Sequence, residues 1–369
     1  MVRHQPSATD TDIAMHLALS NHGLRNSGGI ERYALTLVRG LHARGIKPVF
    51  AAKAFDKSLP EYGWVDPVPV RMSGVPGKLR DFWFDWRLRS LKRQGRWAPL
   101  IACNQTGAAD IAICGSNHPA YLEAMGQRPG RIDRWKIALE RDHLTNAKLI
   151  VAHSRGLAQQ VQQHYGVAPG KIEVLYPPID GDRFSTVPDA RRLQLRESLG
   201  LPDDRAVFLL ASTGHRRKGL DLLLDFFQTT RLPVLLAVAG RPIDPQGPNL
   251  RYLGYRTDIE DVFRAVDFSV MASRYEPFGL VGIESVLCGT PVLLADNVGC
   301  AEVIAEPATL GFSLTQSGSL AQAVEQAVAR WQAGEHRLAT PCANLRYDPS
   351  VSVHLDALLA WAQRFAPGP

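Results

Sequence analysis

The stretch from Val266 to Ala295 limits what this chain can fold into more than any other. The apolar run Val266–Ala272, interrupted by Asp267, predicts a short buried strand. Arg274-Tyr275-Glu276-Pro277-Phe278-Gly279 predicts a sharply turning loop, and Leu280–Leu287 a helix with Gly289 at its C-terminal cap. Thr290-Pro291 then breaks the chain before a second buried strand, Val292–Ala295. This places Glu276 in a strand-to-helix loop and Glu284 on the helix that follows. At about 1.5 Å per helical residue the two carboxylates stand roughly 10 Å apart, enough to span a diphosphate with a hydroxyl-bearing group at each end. The amides around Phe278, Gly279 and Leu280 lie at the positive end of the helix, a seat for a phosphate. A carboxylate accepts charge-assisted hydrogen bonds from vicinal hydroxyls. Two solvent-exposed glutamates would satisfy the same spacing, so the rest of the chain must decide.

A chain of 369 residues is too long for one ordinary core and implies two domains. Its composition, 45% hydrophobic and 21% charged, is that of a globular protein. No run approaches the roughly 18–20 apolar residues that cross a bilayer. Residues 1–12 are polar, lack the apolar segment of a signal peptide, and are expected to form a disordered leader. The cysteines, Cys103, Cys114, Cys288, Cys300 and Cys342, are odd in number and form no C-x-x-C pair. Buried thiols in a reducing cytoplasm are expected, without structural zinc. Charge is unevenly placed: residues 1–185 hold 25 Lys and Arg against 16 Asp and Glu, the remainder 17 against 20. A basic first half points to an anionic partner for that half.

In that half, Ile13–Leu19 predicts a buried strand, Asn21–Gly29 a glycine-bearing loop, Ile30–Ala43 a helix and Pro48–Ala52 the next strand. This is the opening of a doubly wound α/β domain. Gly28-Gly29 permits close backbone approach to a phosphate or sugar, and equally a plain tight turn. Leu79–Leu91 predicts a helix in which Arg80, Arg87, Arg89, Lys92 and Arg93 are interleaved with Phe82, Trp83, Phe84 and Trp86. That mixture, within Lys78–Arg96, suits an anionic membrane surface, or a packing helix with basic residues outward. No nucleic-acid-binding motif accompanies it, so no nucleic-acid partner is expected. Strands follow at Leu100–Ala102, Asp110–Cys114 and Lys148–Ala152, a helix at Gln159–Tyr165 and a strand at Val174–Tyr176. His118 lies beyond Cys114, where open α/β sheets contact ligands, and is read either as a hydroxyl-binding group or as a structural loop histidine. Arg128, Arg131, Arg134, Lys136 and Arg141 form a second basic region. The stiff Pro177-Pro178-Ile179-Asp180 marks the domain boundary.

From Asp182 the pattern restarts. Ala206–Ala211 predicts a strand, Ser212–Gly219 a loop, and Leu220–Phe227 a helix with Asp221 and Asp225 facing out. Val234–Ala239 and Arg251–Leu253 predict further strands. Arg216-Arg217-Lys218, between Gly214 and Gly219, can neutralise a diphosphate or stand as a solvated charge run. Gly240-Arg241 and Gly254-Tyr255-Arg256 sit at later strand ends, so phosphate-type features recur along one edge of one sheet.

In order, Gly28-Gly29, His153-Ser154, Pro177-Pro178-Ile179-Asp180, Arg217-Lys218-Gly219 and E-P-F-G-L-V-G-I-E with Glu276 and Glu284 resemble the retaining nucleotide-sugar glycosyltransferases of family 4. The likeness covers about Ile13 to Leu314. Loop lengths and the basic aromatic helix look most like the lipopolysaccharide-core transferases that act on heptose. The resemblance implies an α/β GT-B fold of two facing Rossmann-like domains with a nucleotide-sugar cleft between them. Its acceptor domain would be residues 13–178 and its donor domain 179–349, with a terminal helix in 350–369 packing back on the first. It also implies the residue roles. Arg217 and Lys218 hold the donor diphosphate, Glu276 the hydroxyls of the transferred sugar, and Glu284 the ribose. The amides of Phe278, Gly279 and Leu280 support sugar and phosphate, and Gly28-Gly29 approach the phosphate from the other domain. Gly214 and Arg256 complete the donor site, and His118 stands near the sugar. Many relatives carry a histidine there, but the lipopolysaccharide-core ones vary.

The implied chemistry is transfer from a nucleotide-sugar, UDP-linked, to a glycan or lipid-linked acceptor, without a bound cofactor. No carboxylate stands out as a nucleophile for double displacement, so same-face attack is expected. The D-x-D run Asp10-Thr11-Asp12 falls in the leader, so no metal is expected. The implied location is cytoplasmic, with peripheral contact to the inner face of the membrane. Competing readings are a transferase for another surface polysaccharide or glycolipid, a GT-B epimerase or phosphorylase, separated by product analysis with and without acceptor, and a non-catalytic lipid-surface protein, separated by nucleotide-sugar binding.

Overall fold

The computed structural model describes residues 17–244 and 247–366. The expected leader, with Asp10-Thr11-Asp12, and the start of the strand expected from Ile13 lie outside them. The chain divides into two compact units, one running to Pro178 and taking in the segment from Pro349, the other Ile179–Asp348.

In chain order the strands of the first unit are β1 (Ala18–Ser20), β2 (Gly23–Leu24), β3 (Val49–Ala52), β4 (Ala54–Phe55), β5 (Asp66–Pro69), β6 (Leu100–Ala102), β7 (Ile111–Cys114), β8 (Leu149–Ala152) and β9 (Ile172–Val174). All but β2 and β4, which pair with each other, form one parallel sheet in the order β5-β3-β1-β6-β7-β8-β9. Its helices are α1 (Gly29–Ala43), α2 (Arg80–Arg93), α3 (His118–Ala124), α4 (Arg131–Asn146) and α5 (Arg155–Tyr165). Side chains alternate between the two sheet faces. Leu19, Ile111, Ile113, Leu149 and Val151 share a core with Tyr33, Leu37 and Leu41 of α1. Ala18, Ala112, Cys114 and Ile150 share another with Phe84 and Leu88 of α2 and Leu157 and Val161 of α5.

Three details differ from what the sequence predicts. β5 is unexpected, because Pro67 and Pro69 argue against a strand; at the sheet edge the amides they lack are not needed. The last strand is β9, Ile172–Val174, and not Val174–Tyr176, since its register opposite β8 pairs Ile150 with Ile172 and Ala152 with Val174. Tyr176 lies past the ladder, and its carbonyl accepts from His354 Nδ1 at 3.0 Å. The basic aromatic helix starts later, after a 3-10 turn at Gly77–Leu79.

The second unit contains α6 (Asp189–Ser198), β10 (Ala206–Ser212), α7 (His215–Lys218), α8 (Leu220–Thr229), β11 (Val234–Gly240), β12 (Leu250–Tyr252), α9 (Ile259–Ala265), β13 (Phe268–Met271), α10 (Leu280–Leu287), β14 (Val292–Ala295), β15 (Thr309–Phe312) and α11 (Ser319–Gln332). Its sheet is parallel throughout, in the order β12-β11-β10-β13-β14-β15. Every residue of β11, β13 and β14 is buried, the pattern of a sheet covered on both faces. Asp267, which interrupts an otherwise apolar run, is buried just before β13. It accepts from Val207 N at 2.9 Å and meets Arg192 at 2.6 Å, Arg196 at 3.2 Å and His336 at 3.2 Å. Burial pushes its carboxyl up, but His336 and the two guanidiniums outweigh that and hold it below its usual range. Among the described residues, Cys103, Cys114, Cys288 and Cys300 are buried free thiols and Cys342 is exposed.

The final helix, α12 (Val351–Phe365), belongs to the first unit and packs on α1. A side chain at Gly40 would run into Leu355 at 2.4 Å and Val351 at 2.6 Å, so glycine permits this approach. Tyr33 donates its hydroxyl to His354 Nε2 at 2.8 Å, and its ring lies 4.9 Å from that of His153. Burial lowers His354 to about 4 and, with His354 beside it, His153 to about 3. An unfolded histidine takes up its proton near pH 6.5, so below that the unfolded chain binds more protons and stability falls with pH. For His354 the loss is expected to reach about 3 kcal/mol by pH 4, at about 1.36 kcal/mol per unit. Urea denaturation of the wild type and His354→Gln between pH 7 and 4.5 checks this; parallel curves for the two would refute it.

Candidate functional site

β10 lies between β11 and β13, and its crossovers run in opposite directions on either side. The loops at the carboxyl ends of β10 and β13 therefore diverge, opening the crevice in which parallel sheets bind ligands. The loop after β10 is not irregular as expected: residues 215–218 form a helical turn, with Lys218 N donating to Gly214 O at 3.0 Å. Ser212 Oγ donates to His215 Nδ1 at 2.9 Å, and His215 Nε2 to Pro242 O at 3.1 Å. The turn closes at Gly219, whose φ is +69°. A Cβ there would sit 2.0 Å from Ala272 O, so only glycine lets this turn press against the end of β13.

This contact brings the basic turn onto the second loop. Lys218 Nζ bonds Glu276 Oε2, Arg217 Nη1 donates to the same oxygen at 2.9 Å and to Tyr275 O at 3.0 Å, and Ser273 Oγ approaches Oε2 at 3.4 Å. The three contacts to the carboxylate all converge on Oε2. Among the described residues Oε1 has no protein partner, and the Glu276 side chain keeps 13% exposure. Burial raises the Glu276 carboxyl, but Lys218 and Arg217 outweigh it and hold it below the usual carboxylate range. Two cations and one carboxylate leave a net positive charge at the mouth of the loop.

The loop itself is pinned from both sides. Glu276 pairs with Val298, Gly299 N donates to Glu276 O at 3.0 Å, and Cys300 N to Phe278 O at 2.6 Å. A side chain at Gly299 would collide with Pro277 O at 2.0 Å. Arg274, which sequence reasoning passes over, ties the two loops together. Its amide donates to Arg217 O at 2.8 Å, and its Nη1 to Arg216 O at 2.7 Å. Its guanidinium also grips Asp221 at 2.8 and 2.6 Å. Asp221 is exposed, as its helix phase predicts, but it is paired and not merely solvated. The only signal for this in the sequence is an arginine between Ser273 and Glu276, which by itself reads as surface charge.

Leu280–Leu287 is helical as expected, with Gly279 as its N-cap at φ +95° and Gly282 N donating back to Gly279 O at 3.0 Å. Glu284 is buried on this helix, so the reading of an exposed glutamate does not hold for it. Arg256 is bound to Asp258 at 2.9 and 2.5 Å, and neighbouring Tyr255 is highly exposed. The first unit holds the other candidates. Gly28 and Gly29 are exposed at the start of α1, and a Cβ on Gly29 would meet nothing within 4 Å. His118 opens α3; its amide donates to Glu140 at 2.9 Å and its Nε2 pairs with Asp133 at 3.0 Å. A second D-x-D, Asp180-Gly181-Asp182, stands beyond the one in residues 1–12, and its Asp180 accepts from Arg183 N at 3.2 Å. Among the described residues no group of three or more His, Cys, Asp or Glu is placed to hold a metal ion.

Known proteins agree with this architecture. Residues 27–183 match the family model Glycosyltransferase Family 4, and residues 191–339 match Glycosyl transferases group 1. A probable transglycosylase of Burkholderia thailandensis is 45% identical over 355 residues, covering 95% of this chain and 98% of that protein. The crystal structure of WaaG, a glycosyltransferase involved in lipopolysaccharide biosynthesis, matches with a TM-score of 0.75 at 17% identity, over 95% of this chain and 100% of that one. Anabaena HepE in complex with UDP and glucose matches with a TM-score of 0.72 at 18% identity, over 94% and 99%. The chain is a glycosyltransferase of family 4, with the GT-B fold of two Rossmann-like parallel-sheet domains.

Proposed function

We propose that this glycosyltransferase moves a hexose from a UDP-sugar to a glycan or lipid-linked acceptor, with retention of configuration and without a metal. The acceptor we favour is lipopolysaccharide core, met at the cytoplasmic face of the inner membrane through the basic segment Lys78–Arg96. The division of labour on Glu276 carries the reading. One carboxylate oxygen is held by two cations, and the other is open to a hydroxyl-rich ligand. HepE, of the same fold, binds UDP and glucose, which supports UDP as the carrier. The role of WaaG in lipopolysaccharide biosynthesis supports the acceptor class.

In this scheme Arg217 and Lys218 face the diphosphate, while Glu276 Oε1 accepts from hydroxyls of the transferred sugar. Glu284 takes the ribose, Gly214 and the amides of Phe278, Gly279 and Leu280 line the phosphates, and Arg256 borders the base. Gly28-Gly29 supply a second set of amides. His118, oriented by Asp133, is the remaining candidate near the sugar. The bond from the anomeric carbon to phosphate oxygen breaks, and the acceptor hydroxyl oxygen bonds to that carbon on the same face. Its proton passes to the departing phosphate. The negative charge that grows on that phosphate is what the two cations stabilise.

Incubation with a panel of nucleotide-sugars is expected to release nucleotide fastest from a UDP-hexose, and equally well with EDTA; NMR of the product should show the donor's anomeric configuration. An absolute need for divalent metal, or an inverted product, would sink the scheme. Lys218→Ala is expected to lower kcat on the order of 10²–10³-fold, the scale of removing one electrostatic stabiliser. A far-ultraviolet spectrum close to wild type would accompany that loss, and full turnover would remove Lys218 from the site. Arg274→Ala should lower kcat/KM for donor by roughly tenfold, acting through the position of Arg217, and Asp221→Asn should share that defect. The double variant should be no worse than Arg274→Ala alone; additive losses would show that the two do not work as one latch.

A further inference from the structure

Large hydrophobic side chains scattered singly over a surface need no explanation, but a cluster does. Among the described residues nine are exposed, and five of them fall on two neighbouring elements of the first unit: Leu79 (44%), Trp83 (39%), Trp86 (48%), Ile132 (45%) and Trp135 (49%). Leu79, Trp83 and Trp86 stand at i, i+4 and i+7, one stripe along α2 and the turn before it. Phe84 and Leu88 form the opposite, buried stripe of the same helix. α2 is therefore apolar on two sides, and the core uses only one. On α4, Ile132 and Trp135 form a matching pair at i and i+3. The two helices touch edge to face, with the Phe82 and Trp135 rings 5.9 Å apart, and the Trp83 and Trp86 rings lie 4.9 Å from each other.

The unbridged charges around this face are positive. Lys78, Arg80, Arg131, Arg134 and Lys136 are exposed and make no ion pair among the described residues. The acids of both helices are engaged within the unit: Asp81 with Lys53, Asp85 with Arg89, Asp133 with His118 and Asp142 with Arg89. What faces outward is tryptophan and isoleucine rimmed by unpaired cations, a composition suited to the headgroup region of an anionic bilayer.

We infer that α2 and α4 together form one membrane-seating face, in which Trp83, Trp86, Ile132 and Trp135 enter the interface while the surrounding lysines and arginines meet anionic headgroups. This rests on the membrane contact proposed above for Lys78–Arg96 and extends it to a second helix that carries half of the apolar anchors. Arg131, Arg134 and Lys136 of the second basic region then form the other rim of the same face.

The inference is tested by co-sedimentation of the full chain with phosphatidylglycerol-containing vesicles and with pure phosphatidylcholine vesicles. Three variants are compared with wild type: Trp83→Ser/Trp86→Ser, Ile132→Ser/Trp135→Ser, and the quadruple. Wild type is expected to bind only the anionic vesicles, less as salt is raised. Each pair should weaken partitioning about tenfold and the quadruple should abolish it, since buried apolar area and charge act together. Nucleotide release from UDP-sugar in solution should be unchanged, which separates seating from folding. If the α4 pair binds as wild type while the α2 pair does not, the two-helix face is overturned and the single-helix contact stands. If wild type fails to bind anionic vesicles, both are overturned. Self-association by light scattering that Trp86→Ser abolishes, without vesicle binding, would assign the face to a second copy of the chain and overturn the inference.

Discussion

The carboxylate of Glu276, shared by Lys218 and Arg217, is the interaction on which the second unit's site depends. None of the three groups is cheap to place where it is. Lys218 is buried and Glu276 nearly so, and a lone charge in either position would be costly to desolvate. Together they offset that cost, and they do so across the switch point between β10 and β13. The contact is possible only because Gly219 has no side chain to strike Ala272 O, and because Arg274 holds the carbonyls of the basic turn. A sheet order, a glycine and an arginine thus combine to place one net positive charge beside an open carboxylate oxygen.

Much of this is legible in the sequence, and the parts that are not have a common cause. Buried parallel strands announce themselves as short apolar runs between glycine and proline, so β6 and β14 fall at the expected residues, as does the helix α10 that precedes β14. β5 escapes such a reading because its prolines speak against a strand, and only its edge position makes them tolerable. The basic run at residues 216–218 is visible as charge but not as a helical turn, since four residues have no periodicity to read. Its partnership with Glu276, 58 residues later, is a property of strand order, which local patterns do not encode. Arg274 and Asp221 each look like ordinary surface charge; their joint function exists only after both loops are placed. The alternative of two exposed glutamates fails for the same reason, because Glu284 lies on the packed side of a helix with few polar residues to mark its outer face.

The charge imbalance between the halves of the chain becomes specific in the structure. In the second unit, cations such as Arg192, Arg196, Arg183 and Arg274 are consumed by carboxylates, while Arg217 and Lys218 gather on the single carboxylate of Glu276. In the first unit the acids are consumed and the cations are left over, concentrated around α2 and α4. Each unit thus gathers positive charge, as a point beside Glu276 in the second unit and around an apolar face in the first. A compact cationic point suits a diphosphate, whereas a broad cationic rim around tryptophans suits a fluid surface of many single charges.

The electrostatics also decide what Glu276 can do. A catalytic acid needs its carboxyl raised toward neutral pH by an apolar setting or by a like-charged neighbour. Glu276 is shifted the other way, since Lys218 and Arg217 more than cancel the effect of burial. It stays ionised, and a carboxylate already neutralised by two cations is a weak base as well as a poor acid. What it retains is a fixed oxygen that accepts hydrogen bonds. Holding hydroxyls is therefore the role its surroundings permit, and the charge that helps a phosphate leave has to come from the cations. In the scheme proposed above, the spacing of Glu276 and Glu284 marks the two ends of the donor site and not an acid–base pair. The chemistry proposed for it lies in the basic turn that grips one of them.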